Sequence, residues 1–330
     1  MKTRLLGAVA ALVMAGAPAF AEYPEKAIQG VIQWGAGGST DVVMRSITPH
    51  AEKILGGSVV MQNMTGGTGA IALKFVGAQD ADGYTLLMGA ENPQLYKVMG
   101  LGDSDYADFT PINVIARGVP LLVARPDAPY NNFAELAAYV AAHPNEVKFG
   151  STGPGGLPSV ITAMLTSEVA LPVIAVPYDG DGPALTALQG GAIDVMPAVL
   201  GAAIEGIRAG RMKPIALIDT VANLALPDVA PITETHPGFA KYLPWGPFFG
   251  VFVKNGTPDD AVAKLQAAYA EATTNPEFVA LIEGRGFSML NLAGDEAQTF
   301  LTNWQKTTSW LVFDAGAAKF SPADFGIERP

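Results

Sequence analysis

Five times along this chain a short apolar run ends in a glycine-rich turn and passes into a helical pattern, and that recurrence limits the fold more than any other feature. The first instance is Trp34-Gly35-Ala36-Gly37-Gly38-Ser39-Thr40-Asp41, after the apolar run Ala27 to Ile32. Val42, Val43, Ile47 and Leu55 then mark the apolar side of a helix whose polar side carries Arg45, His50, Glu52 and Lys53. Ser39 or Thr40 is expected to cap this helix, with Asp41 in its first turn at the positive end of the dipole. Strand, glycine turn and helix N-terminus together make a site for an anion.

Four further turns repeat the plan: 63–69, with Thr68 near the helix start; 150–156; 177–183; and Pro197 to Gly201. Strand-like and helix-like segments alternate from residue 27 to about 220, so the βαβα order predicts parallel sheets covered by helices on both faces. All five turns then fall at the carboxyl ends of strands, the edge where open α/β folds bind ligands. The tail is helical. Thr257-Pro258-Asp259-Asp260 and Asn275-Pro276-Glu277 are two helix openings, Thr257 being the expected cap of the first, and 294–313 is the last helix. Val119 to Ala124 and Phe248 to Val253 are expected to be strands crossing between two domains. That divides the chain into domain one (22–124 and 249–330) and domain two (125–248).

Met1 to Ala21 has the parts of a secretory signal peptide: Lys2 and Arg4, an apolar stretch from Leu5 to Ala15, and Ala19-Phe20-Ala21 as the cleavage site. Removing Lys2 and Arg4 from the 20 basic residues leaves 18 against 31 acidic, a formal charge of −13. Such a chain is a poor partner for nucleic acid or an anionic membrane surface, and an anionic ligand must be held by local groups. With no cysteine there is neither a disulfide nor a thiolate metal site, and an exported chain without either suits a periplasm. A soluble monomer is expected. The three histidines are scattered, and neither a G-x-S-x-G elbow nor a G-K-[ST] phosphate loop is present, so no enzyme, cofactor or metal is expected.

Further segments carry a resemblance. Tyr23-Pro24-Glu25-Lys26 with Gly37-Gly38-Ser39-Thr40-Asp41, Ala81-Asp82-Gly83-Tyr84, Phe109-Thr110-Pro111-Ile112, Val176-Pro177-Tyr178 with Gly182-Pro183-Ala184, 188–194 and 226–231 stand in order along nearly the whole mature chain. They resemble the substrate-binding proteins of tripartite tricarboxylate transporters, the Bug or TctC family. The resemblance implies a type II periplasmic binding protein fold, two doubly wound α/β domains joined by two crossing strands. It also implies capture of a small carboxylate in the cleft and delivery to the permease subunits of a tripartite tricarboxylate transporter. The chain departs from the family pattern in four places. Gly35 and Ala36 stand where prolines are usual, Met64-Thr65-Gly66 where Arg-Pro-Gly is usual, Leu157-Pro158-Ser159 where a histidine is usual, and Asp179 where lysine is common.

The expected ligand-binding residues follow from the turns. Gly37, Gly38, Ser39 and Thr40 would hold one carboxylate on backbone N–H groups and hydroxyls. Ser151, Thr152, Gly155 and Gly156 would hold the other polar end. Trp34 is a candidate wall, Asp41 a brace or a polar contact, Tyr178 a lid, and Thr68, Glu91, Asp179 and Pro197 are candidates at the turn edges. Two alternatives stay open: a TRAP-type carboxylate receptor with an arginine clamp from Arg45, Arg117 or Arg125, and a serine hydrolase using Ser39 or Ser151.

Overall fold

The computed structural model describes residues 23–330. The expected signal peptide and its cleavage site lie outside the described residues.

In chain order the strands are β1 (Ile28–Ile32), β2 (Val59–Asn63), β3 (Thr85–Ala90), β4 (Phe109–Arg117), β5 (Pro120–Ala124), β6 (Lys148–Ser151), β7 (Ile174–Pro177), β8 (Val195–Val199), β9 (Lys213–Leu217), β10 (Phe248–Lys254) and β11 (Ser288–Leu292). The helices are α1 (Ser39–Leu55), α2 (Ala70–Gly77), α3 (Tyr96–Met99), α4 (Phe133–Ala142), α5 (Leu157–Thr166), α6 (Asp181–Gln189), α7 (Leu200–Arg208), α8 (Asp259–Thr273), α9 (Pro276–Gly284) and α10 (Gly294–Asp314). Two sheets result, one in the order β11-β4-β10-β3-β1-β2 and one in the order β7-β6-β8-β5-β9.

Sequence explains which strands are central. β5 and β8 are apolar and buried at every position, as strands covered on both faces must be. β2 alternates from buried Val59 to exposed Val60 and sits at an edge. On α1 the buried stripe Val43, Met44, Ile47, Ala51 and Leu55 recurs at helical spacing, and each large side chain contributes about 1.5–3 kcal/mol by burial. Asn132 caps α4 as its spacing to Glu135 predicts, accepting from the Glu135 N–H at 2.9 Å while its side-chain amide donates back to the Glu135 carboxylate.

Several expectations are corrected. The sheets are mixed: β1 pairs in parallel with β2 and β3, but β10 runs antiparallel to β3 and β4, and β5 antiparallel to β8 and β9. A strand arriving from the other half of the molecule carries no helical crossover with it, so nothing forces it to run parallel. The run Val119 to Ala124 is no bridge between the halves either, because β5 pairs wholly within the second sheet and β10 wholly within the first. The chain crosses instead at Gly118 and at Gly246-Pro247. There the Gly118 N–H donates to the Pro247 carbonyl at 2.8 Å, so the crossing segments run side by side. A Cβ on Gly246 would lie 2.1 Å from the Gly118 oxygen, which explains the residue chosen at this hinge. Helix starts also move: α1 is capped by Gly38 without a side-chain bond, and α8 starts after Pro258, not with Thr257 as its cap. Pro197 lies inside β8, opposite Leu122, and not in a turn.

Candidate functional site

The β1–α1 loop is braced from behind. Gly37 takes φ +76°, which only glycine adopts freely, and its N–H donates to the Asp41 carboxylate at 3.0 Å. The other Asp41 oxygen accepts from Arg45 Nε at 2.7 Å and from Asn63 Nδ2 at 2.9 Å. Asn63 Nδ2 also reaches the Trp34 carbonyl at 2.8 Å, tying the loop to the end of β2. Asp41 is thus occupied with the loop. The N–H groups at the start of α1 lack intrahelical acceptors by position and present a positive dipole end.

What they face is a small cavity between the two sheets. Its volume is about 30 Å³, room for about two water molecules. Trp34 and the Gly38-Ser39-Thr40 turn line it from the first half, with Ala90 and Glu91 at the end of β3. From the second half come Thr152, Leu157, the Gly180-Asp181 start of α6, and Val199 at the end of β8. Pro247 and Phe249 close it on the hinge side.

The halves meet tightly around this space. The Gly35 N–H donates to the Asp179 carbonyl at 3.0 Å, and the Ser39 hydroxyl to the Asp181 carboxylate at 2.8 Å. A Cβ on Gly182 would lie 2.1 Å from the Ala36 oxygen and 2.8 Å from the Gly38 nitrogen, so the two turns touch backbone to backbone. Asn92, fully buried, organises the back of the site. Its oxygen accepts from Trp34 Nε1 at 3.0 Å and Gln33 Nε2 at 3.1 Å, while its amide donates to the Gly155 carbonyl at 3.0 Å and to Glu91 at 3.2 Å. One side chain therefore orients the indole, steadies Glu91 and reaches the opposite half.

Electrostatically the cavity is acidic. Burial pushes the Glu91 carboxyl up to about 8, and the charge of Asp181 adds to the shift against hydrogen bonds from its own backbone and Asn92. Asp181 is also raised, by desolvation, against the lowering effect of the Ser39 hydroxyl and the Val199 backbone. Among the described residues no Lys, Arg or His lines the cavity. Arg45 is held by Asp41, Arg125 lies beside Asp127 and Asp194, and Arg117 lines a separate groove with Trp304.

The expected site residues thus divide. Trp34, Gly38, Ser39, Thr40, Glu91 and Thr152 line the cavity together. Thr68, Tyr178 and Asp179 lie just outside it in a shallow groove shared with Thr152 and Gly153, where the Thr68 hydroxyl reaches the Thr152 carbonyl at 3.4 Å. Gly37 and Asp41 brace the loop, Gly155 supplies the carbonyl for Asn92, and Gly156 caps α5. Ser151 accepts from the Gly153 N–H at 3.2 Å, and Pro197 is buried in β8. Sequence reasoning missed Asp181, although an acid in the first turn of a helix behind a glycine turn is the pattern that singled out Asp41. It also missed Phe249 and Pro247, which reach the site only because the chain returns at the hinge.

Two α/β halves hinged by paired crossing segments, with helix N-termini lining the space between them, define a cleft-type solute-binding protein. The comparisons give the family. Residues 43–315 match the tripartite tricarboxylate transporter family receptor, and the chain belongs to that family. It is similar to the protein BugT of Bordetella pertussis, 28% identical over 96% of this chain and 98% of BugT. Among solved structures it is similar to the periplasmic binding protein BugD, with 28% identity, a TM-score of 0.83, and coverage of 90% of this chain and 99% of that one. It is also similar to MatC of Rhodopseudomonas palustris with bound malate, 28% identical at a TM-score of 0.79, covering 89% of this chain and all of that one.

Proposed function

We propose that this chain is a periplasmic receptor that takes a small carboxylate-bearing solute into the cavity between its two sheets and presents the closed form to the permease subunits of a tripartite tricarboxylate transporter. The observation that carries this is the cavity itself, lined by the N-terminus of α1 from one half and of α6 from the other, with a hinge at Gly118 and Pro247. Malate in the MatC structure supports a carboxylate as the ligand class. A cavity of about 30 Å³ is smaller than any such solute, so the halves part to admit it. We take the division at Gly118 and Pro247 as the domain boundary.

The ligand carboxylate sits against the first turn of α1, on backbone N–H groups and the hydroxyl of Thr40. Hydrogen bonds to a charged group contribute about 1.5–3 kcal/mol each, and the helix end about 0.3–1 kcal/mol. Three or four such contacts support micromolar binding, about 8 kcal/mol, after the costs of association. An arginine clamp of the TRAP kind has no residue to make it, since none of Arg45, Arg117 and Arg125 lines the cavity. A serine hydrolase's Ser–His pair is not formed: the Ser39 hydroxyl is bonded to Asp181 and the Ser151 oxygen to the Gly153 N–H, and among the described residues no histidine hydrogen-bonds to either.

A thermal-shift panel of carboxylates on the mature protein tests the proposal. At about 100 times its dissociation constant a bound solute adds roughly 2.7 kcal/mol of stability. A panel of mono-, di- and tricarboxylates and amino acids that leaves the melting temperature unmoved at millimolar concentration would count against it.

A further inference from the structure

The groove that holds Arg117 lies beside the hinge, apart from the cavity. Its volume is about 260 Å³, close to the lower end of the range for small-molecule sites, roughly 300–1,000 Å³. Arg117, the last residue of β4, enters it from the first crossing, and residues 244–246 enter it from the second. α10 supplies Phe300, Asn303, Trp304 and Thr307. The aromatic walls are fixed in place. Trp304 Nε1 donates to the Gly246 carbonyl at 2.9 Å, and Trp245 Nε1 donates to the Thr308 hydroxyl at 3.0 Å. Both indoles therefore tie the crossing segment to α10, with their rings 5.9 Å apart.

The polar groups of the groove have no such ties. Among the described residues nothing binds the Arg117 guanidinium, the Asn303 amide or the Thr307 hydroxyl. By contrast Thr302, on the same helix, returns its hydroxyl to the Gln298 carbonyl. Every other described arginine is held: Arg45 and Arg329 by aspartates, Arg125 beside Asp194, Arg208 and Arg285 by backbone carbonyls, and Arg211 by Gln189. A free guanidinium is out of pattern in a chain with 31 acidic against 20 basic residues. Its planar fork fits a carboxylate through two parallel hydrogen bonds. No second cation lines the groove, so one negative charge is matched there and a second is not. Indole and phenyl walls suit a flat apolar body on that carboxylate.

We propose that this groove is a second binding site, for a small aromatic monocarboxylate, with the carboxylate on Arg117, Asn303 and Thr307 and the ring against Trp304 and Phe300. The site does not depend on what the cleft holds. Its occupant touches both crossings, through Arg117 next to Gly118 and through Trp245 and Gly246 next to Pro247. The Arg117 stem already lies against the second crossing, since a Cβ on Gly246 would be 3.4 Å from its Cγ. Occupancy therefore steadies the crossing pair where the Gly118 N–H donates to the Pro247 carbonyl, and couples this site to any solute whose capture moves the hinge.

The test titrates benzoate and phenylacetate into the mature protein, with benzyl alcohol as the uncharged control, and follows the indole N–H resonances. Trp34→Phe, Trp245→Phe and Trp304→Phe assign the signals. Both carboxylates should shift Trp245 and Trp304 saturably and leave Trp34 in place, with the alcohol at least tenfold weaker. Arg117→Gln and Thr307→Glu should each weaken binding at least tenfold. Thr307 is exposed, so its variant should keep the wild-type melting profile and carries the test should Arg117→Gln fail to fold. Hydrogen exchange at the Gly118 amide should slow at least threefold in the wild type with saturating probe, and not in Thr307→Glu. Shifts at Trp34 with Trp245 and Trp304 unmoved would put the probe in the cleft and overturn the inference, leaving the receptor reading intact. Equal binding of benzyl alcohol, or no saturable shift at tens of millimolar, would overturn it as well. Binding without slower exchange at Gly118 would overturn the hinge role.

Discussion

Two acids in this molecule lie in the first turns of helices that follow glycine turns, and their surroundings differ sharply. Asp41 at the start of α1 is 6% exposed and fully engaged by a guanidinium, a side-chain amide and a backbone N–H. Asp181 at the start of α6 meets the Ser39 hydroxyl across the cleft and has a second acid, Glu91, in the same cavity. The same local sequence pattern therefore serves two ends. Where the charge is matched within its own half it builds a loop. Where it lies at the boundary between halves, it joins them through the Ser39 hydroxyl.

The largest expected effect belongs to the unmatched side. Glu91 titrates near 8 in the folded protein against about 4.5 when unfolded. Between those values the folded chain keeps a proton that the unfolded chain has released. The associated stability is complete below about pH 4.5 and is lost as the pH rises to 8, a span worth on the order of 5 kcal/mol. Urea melts of the wild type from pH 5 to 8 should show this fall, and Glu91→Gln should flatten it. A wild-type stability that climbs over the same range would put Glu91 among the matched acids.

Next comes the matched side. Asp41→Ala strands the Arg45 guanidinium and frees the Gly37 N–H and Asn63 amide, which should lower stability by about 3 kcal/mol in the same melts. A loss under about 1 kcal/mol would mean that the brace is ornamental. Ser39→Ala removes the one side-chain donor to Asp181 and should cost about 1.5 kcal/mol. Asp181→Asn is the smallest and has the opposite sign: removing an uncompensated charge should raise stability by up to about 1 kcal/mol. Should Asp181→Asn destabilise as much as Asp41→Ala, the contrast between the two acids disappears.

How much of this was legible beforehand follows from the range of the signals. The alternation of apolar runs, glycine turns and helical stripes is local, so the strands, the helices and the Gly37–Thr40 turn could be read directly. Asn275 and Asn132 announced their caps, and both accept from the helix N–H groups as expected. Strand direction could not be read the same way. β5 and β10 look like any other apolar run, and only their partners make them antiparallel. The cavity's far wall, Pro247 and Phe249, lies more than 200 residues from Trp34 in sequence, and its place is set by the hinge. Asn92 was visible as a polar residue at a strand end. Its four hydrogen bonds depend on Gln33, Trp34 and Gly155 arriving from three other elements.

The claim on which the rest depends is that a solute is held in the space between the halves and that they close over it. Gly182 tests this most directly, because a side chain there would stand against the Ala36 oxygen at 2.1 Å and keep the turns apart while leaving each half intact. Calorimetry on the wild type and Gly182→Val, using the tightest binder from the carboxylate panel, gives the answer. The account predicts affinity at least about tenfold weaker in the variant, 1.4 kcal/mol or more, with its thermal transition within a few degrees of the wild type. Equal affinity in the two proteins would contradict it, and would place the solute somewhere other than this cleft.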